Sequence, residues 1–125
     1  MGTAVMPDDV LVVDDDAAIT EMVSEALALE GIPHRTAGNG VTALSLVATD
    51  RPRVILLDIN MPVMDGVQFC ARLDEHGRQG IAVVVMTAAR DAARFRDQCG
   101  ADDVLGKPFH LDDLYAVVER YLSPV

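Results

Sequence analysis

Short apolar runs, each followed by a stretch of helical spacing, set the rhythm of this chain. Val10-Leu11-Val12-Val13 is continuously apolar, the pattern of a strand covered on both faces. Ile19, Met22, Val23, Ala26 and Leu27 then recur at i, i+3, i+4, i+7 and i+8, which predicts a helix, with Gly31 as its C-terminal stop. Pro33 to Ala37 is a weaker run, expected at a sheet edge. Asn39 can cap a second helix that carries Val41, Leu44 and Val47 on one face and stops before Pro52. Val54-Ile55-Leu56-Leu57 predicts a third strand, and Asp65 caps a helix turning Val67, Phe69, Cys70 and Leu73 inward. Ile81 to Met86 is the strongest strand signal in the chain. A weakly amphipathic helix over about Asp91 to Cys99 follows, with Ala92, Phe95 and Cys99 apolar, then a short strand around Asp103 to Leu105. Leu111, Leu114, Tyr115, Val118, Tyr121 and Leu122 mark a last helix, with Asp112 and Asp113 favourably placed near its positive end. Strand and helix alternate five times, so the expected fold is a single (βα)5 α/β domain with a parallel sheet.

Composition narrows the function classes. The 125 residues are half hydrophobic, enough for one domain with a proper core. We expect that domain over residues 9–123, after a flexible segment 1–8. No apolar stretch approaches the roughly 20 residues of a membrane span, and the first residues lack the basic-then-apolar order of a signal peptide. Twenty acidic against 10 basic side chains give a net charge of −10, and the nine arginines are scattered. Direct nucleic-acid binding, which needs a basic face, is therefore not expected. Cys70 and Cys99 are too few for a disulfide framework and lack C-x-x-C spacing, so two buried thiols in a reducing, cytoplasmic setting are expected.

Candidate chemistry collects where the strands end. The first runs into Asp14-Asp15-Asp16, the third into Asp58, the fourth into Thr87 and the fifth into Lys107-Pro108. In a parallel sheet these ends share the edge at which open α/β folds bind ligands. Aspartates are also ordinary turn and cap residues, and Asp16 is the expected cap of the first helix. That explanation does not cover Lys107, the only lysine in the chain. Two carboxylates about 5 Å apart at an effective dielectric near 20 repel by roughly 3 kcal/mol. Asp14, Asp15 and Asp58 make three such pairs, a burden for a domain stable by about 5–15 kcal/mol unless a counterion joins them. A hard divalent cation such as Mg²⁺ fits these oxygen ligands and keeps positions open for phosphate oxygens. A carboxylate can also act as nucleophile toward phosphorus. Asp58 is the expected acceptor, with Thr87 as hydroxyl donor and Lys107 as a point charge on the transferring group.

Four motifs give the chain a family resemblance: Val12-Val13-Asp14-Asp15-Asp16, Leu57-Asp58-Ile59-Asn60-Met61-Pro62-Val63-Met64-Asp65-Gly66, Met86-Thr87-Ala88 and Gly106-Lys107-Pro108-Phe109. In this order and spacing the chain resembles the CheY-like receiver domains of response regulators in two-component signalling, over about Val10 to Leu122. The resemblance implies a flavodoxin-like sheet of order 2-1-3-4-5 with helices on both faces. It implies Asp58 as phosphoacceptor, Asp15 binding Mg²⁺ directly, Asp14 largely through water, and the backbone carbonyl of Asn60 as a further ligand. Thr87 and Lys107 would contact the phosphoryl group, and a histidine kinase or histidine-phosphotransfer protein would be the donor. Receivers usually carry Tyr or Phe three residues before the lysine; here that position is Val104, which cannot perform the family's aromatic rotation. Phosphorylation is then expected to be read through Thr87, the Ala88-Ala89-Arg90 loop and the fourth helix.

Rival functions meet specific objections. A haloacid-dehalogenase-type phosphatase needs an acid/base aspartate two residues after its nucleophile, where this chain has Asn60. A flavin-binding flavodoxin wants a glycine- and hydroxyl-rich loop after the first strand, where three aspartates stand. A phosphorylation-independent protein-interaction module on the same fold is the remaining alternative, and it would be indifferent to Asp58→Asn. His34, His76 and His110 match no metal spacing and read as surface residues. Tyr115 and Tyr121 belong either to the core or to the face that receivers often use for weak homodimers and targets. Such a chain assists its own phosphorylation and dephosphorylation and turns over no outside substrate. Its output is expected through a protein target or an effector domain outside these residues.

Overall fold

In the computed structural model, which describes residues 9–122, the five apolar runs form one parallel sheet of order β2-β1-β3-β4-β5. The strands are β1 (Val10–Val13), β2 (His34–Ala37), β3 (Val54–Asp58), β4 (Ala82–Ala88) and β5 (Asp103–Lys107). Between and after them lie α1 (Ala17–Leu29), α2 (Gly40–Thr49), α3 (Gly66–His76), α4 (Ala92–Cys99) and α5 (Leu111–Leu122), with a 3₁₀ turn at Ala89–Asp91. This is the expected doubly covered (βα)5 architecture. The segment 1–8 and Ser123, which closes the expected domain, lie outside the described residues.

Alternation along each strand divides the core in two. Leu11, Val13, Ile55, Leu57, Val83 and Val85 face α2, α3 and α4, meeting Ala43, Val47, Phe69, Cys70, Leu73 and Cys99. Val10, Val12, Val54, Leu56, Val84 and Met86 face α1 and α5, meeting Val23, Ala26, Leu27, Leu114, Val117 and Val118. Both faces of β1, β3 and β4 are therefore closed to water, which is why their sequences are unbroken apolar runs.

Helix starts follow the cap residues. Asp16 accepts from the Ala18 and Ile19 amides, Asn39 from Thr42, and Asp65 forms a capping box with Gln68. Gly31 takes a left-handed φ of 68° just past α1, as its assignment as a helix stop requires.

Two readings change. The inward face of α2 is Gly40, Ala43 and Val47, while Val41 is 50% exposed and Leu44 only half-buried. Close packing decides this: a Cβ on Gly40 would lie 2.8 Å from Met64 Sδ, so α2 meets the β3–α3 loop through its smallest side chain. The strands also run further than their apolar letters. Asp58, Thr87 and Lys107 are still paired within the ladder, because pairing is made by the backbone regardless of side chain.

Candidate functional site

Register brings the polar strand ends level. Val13 pairs with Leu57, so Asp14 and Asp58 are the next residues on adjacent strands. Met86 pairs with Asp58, and Thr87 follows one residue on. Lys107 ends β5 opposite Ala88, and its peptide bond to Pro108 is cis. Asp14, Asp15 and Asp58 each offer a carboxylate oxygen to a group lying within 4.8 Å.

Asp14 is held from several sides. Its own amide donates to the Ala37 carbonyl at 3.1 Å, its Oδ1 accepts from the Asp16 amide at 2.9 Å, and its Oδ2 accepts from Lys107 Nζ at 3.2 Å. The Thr20 hydroxyl donates to the Asp14 carbonyl at 3.3 Å and to the Asp16 carbonyl at 3.1 Å, fastening the loop to the first turn of α1. Asp58 Oδ1 accepts from the same Lys107 ammonium at 3.2 Å. Asp15 lies exposed at the rim.

Magnitudes show what this arrangement leaves unbalanced. At an effective dielectric near 20, the two contacts of Lys107 are worth about 5 kcal/mol each, against about 3 kcal/mol for each of three carboxylate repulsions. Attraction and repulsion nearly offset, and the cost of burial remains. Asp58 is accordingly pushed up to about 6, first by burial, then by the Asp14 carboxylate, with Lys107 pulling the other way and Asp15 adding a further push. Burial also works against the Lys107 charge, but the Asp58 and Asp14 carboxylates outweigh it and raise its affinity for a proton. Even with Lys107 present the cluster carries an excess of negative charge on hard oxygen donors. That donor set suits a small divalent cation.

The remaining candidates take distinct places. Thr87 is buried at the end of β4. Asn60 is exposed in the β3–α3 loop, two residues beyond Asp58. Val104 pairs with Val85 and packs, half-buried, on the α2–α3–α4 side of the sheet, away from the acidic group. Phe95 packs against that same side, with the Arg94 guanidinium 4.5 Å above its ring.

Two features of the loop go beyond the sequence reading. Gly66 donates its amide to the Ile59 carbonyl at 2.9 Å, and a Cβ there would lie 2.9 Å from the Asp58 carbonyl oxygen and the Ile59 Cα. Only glycine lets α3 start this close behind the site, and the sequence signals no more than a turn at that position. Val63, 84% exposed, has a φ of 71°, a strained conformation for a β-branched residue a few positions from Asp58.

With this geometry in hand, known proteins can be compared. The profile of the response regulator receiver domain matches residues 10–119. Response regulator MprA of Mycobacterium sp. (strain KMS) is 41% identical over 120 residues, covering 94% of this chain and 51% of that protein. The structure of chemotaxis protein CheY4 of Vibrio cholerae is similar with a TM-score of 0.81 and 32% identity, over 90% of this chain and 97% of that one. The receiver domain of NtrX from Brucella abortus gives 0.82 and 32%, over 91% and 98%. The chain spans about half the length of the MprA relatives it matches. Among the described residues, no helix is long and apolar enough to cross a membrane.

Proposed function

This chain belongs to the response regulator receiver domain family, and from that membership we propose that its carboxyl edge accepts a phosphoryl group on Asp58 from a phosphohistidine donor. The observation that supports this best is the meeting of Asp14, Asp15 and Asp58 within 4.8 Å, with Lys107 bridging Asp14 and Asp58. In the proposed step an Asp58 carboxylate oxygen forms a bond to phosphorus while the phosphorus–nitrogen bond to the donor imidazole breaks. With a proton affinity near 6, Asp58 is mostly ionised at neutral pH and available as nucleophile. The Asp14, Asp15 and Asp58 carboxylates and the Asn60 backbone carbonyl would hold Mg²⁺, which when bound neutralises charge on the phosphoryl oxygens. Lys107, relieved of its contact with Asp58 once that oxygen is bonded to phosphorus as an acyl phosphate, keeps Asp14 and offers its ammonium to the phosphoryl group. The Thr87 hydroxyl donates from the end of β4.

The proposed unit is residues 9–123, a cytoplasmic signalling module rather than a turnover enzyme. A histidine kinase or histidine-phosphotransfer protein supplies the phosphoryl group, and the output goes to a protein target or effector domain. A net charge of −10 directs it toward protein rather than nucleic acid. Val104 stands where receivers usually carry an aromatic ring, so the phosphorylated state is read through Thr87, the Ala88-Ala89-Arg90 segment and α4.

Incubation with a small phosphodonor, with and without Mg²⁺, followed by intact mass, tests this reading. Wild type with Mg²⁺ should gain one phosphoryl group, and Asp58→Asn should gain none. An equal gain in the variant, or no gain in wild type, would overturn the assignment of Asp58.

A further inference from the structure

The two cysteines come together although they are far apart in the chain. Cys70 lies on α3 and Cys99 is the last residue of α4, and the side chains are only 2% and 3% exposed. Both side chains lie in the same buried cluster, on the α2–α3–α4 side of the sheet. Cys99 Sγ is also 3.7 Å from the Gly66 carbonyl oxygen, placed to donate to it. Arg78 holds the two backbones on one atom: its Nη2 donates to the Cys70 carbonyl at 3.4 Å and to the Cys99 carbonyl at 3.0 Å. Cys99 is the one buried residue of α4, and Phe95 of the same helix packs half-buried on the same core.

We propose that Cys70 and Cys99 are a redox modification site, closed by peroxide into a reversible intramolecular disulfide that staples α4 to α3. The pair reacts when the end of α4 at Cys99 and the exposed Gly100 admits peroxide, and α4 is only eight residues long. Cys99 is the attacking sulfur: it ends α4 next to the exposed Gly100, and the neighbouring Cys70 side chain and the Arg78 charge favour its thiolate against the opposing effect of burial. The neighbouring Cys99 side chain and burial keep Cys70 protonated as the resolving thiol. The Cys99 sulfur attacks the O–O bond of hydrogen peroxide, becoming a sulfenic acid, and the departing hydroxide takes up the thiol proton as water. The Cys70 sulfur then attacks that sulfenic sulfur, the S–S bond forms, and a second water leaves. Two electrons pass from the two sulfurs to one peroxide, which is reduced to two waters. The staple would fix α4 at the Gly66 turn, whose Cα packs behind the Asp58 backbone.

The experiment needs no phosphoryl chemistry, so its result is independent of the role given to Asp58. The native wild-type chain is treated with hydrogen peroxide and followed by intact mass, non-reducing peptide mapping and thermal unfolding. The expected result is loss of two hydrogens, a Cys70–Cys99 linked peptide pair reversed by dithiothreitol, and a Tm higher by roughly 5–10 °C. Cys70→Ser should instead leave a sulfenic acid on Cys99 that dimedone traps. Should that variant fail to fold, the wild-type map decides alone. Stepwise oxygen addition without a cross-link, a disulfide between two chains, or no reaction while the urea-unfolded chain is oxidised would each overturn the proposal.

Discussion

At the amino edge of the sheet Asp9 meets Arg35 Nε at 2.6 Å, and at the carboxyl edge Asp14 and Asp58 share Lys107 at 3.2 Å each. Both edges bury acid against a cation. Arg35 uses its other nitrogens on the carbonyls of Leu46 at 3.1 Å and Asp50 at 2.7 Å, tying β2 to α2 with one charge for one charge. At the other edge two of three clustered carboxylates, Asp14 and Asp58, share one ammonium, and burial first, then the Asp14 charge, pushes Asp58 up to about 6. A closed, matched pair holds a fold together. An unmatched cluster costs stability and is where an added cation and an anionic group can be bound.

The contrast can be broken from either side. Arg35→Ala leaves Asp9 buried without its cation and should cost about 3 kcal/mol by urea unfolding, while phosphoryl incorporation by the folded protein is unchanged. Asp58→Asn should do the reverse, raising the stability of the cation-free protein at pH 7.5 by about 2 kcal/mol. Because the folded state raises the Asp58 proton affinity, wild type is most relieved below the ordinary carboxylate range near 3.8 and loses that relief as pH rises through about 6. Cation-free wild type should therefore gain on Asp58→Asn as pH is lowered from 7 to 4, which paired unfolding curves would reveal.

Lys107→Ala sharpens the same point from within the cluster. Without the ammonium the repulsion is unopposed, and we expect a loss of about 1–2 kcal/mol that Mg²⁺ restores in thermal unfolding. Smallest of all is the pH response of cation binding. Below pH 6 a cation must displace the Asp58 proton, so Mg²⁺ affinity should fall by up to about tenfold per pH unit in calorimetric titrations.

Much of this contrast is legible in the chain, and the illegible part has identifiable causes. Strand ends at Asp14, Asp58, Thr87 and Lys107 mark the site because polar residues interrupt unbroken apolar runs, and a parallel sheet must bring such ends to one edge. Asp16, Asn39 and Asp65 announce their helices because capping is a local contact. Hydropathy puts Val41 inside α2, but the buried positions are Gly40, Ala43 and Val47, with Gly40 pressed against Met64 where no larger side chain fits. The pairing of Arg35 with Asp9 and the meeting of Cys70 with Cys99 join residues more than 20 positions apart, which no local pattern encodes. Lys107 stands out as the only lysine, yet nothing in its neighbours tells that it rests between Asp14 and Asp58.

Calorimetric titration of Mg²⁺ into wild type, Asp14→Asn, Asp15→Asn and Arg35→Ala at pH 7.5 distinguishes the unmatched acidic edge from the matched one. One ion should bind per wild-type chain, each acidic-site substitution should weaken it about tenfold or more, and Arg35→Ala should leave it unchanged. Absence of binding to wild type, or equal binding by the Asp14 and Asp15 variants, would contradict the account.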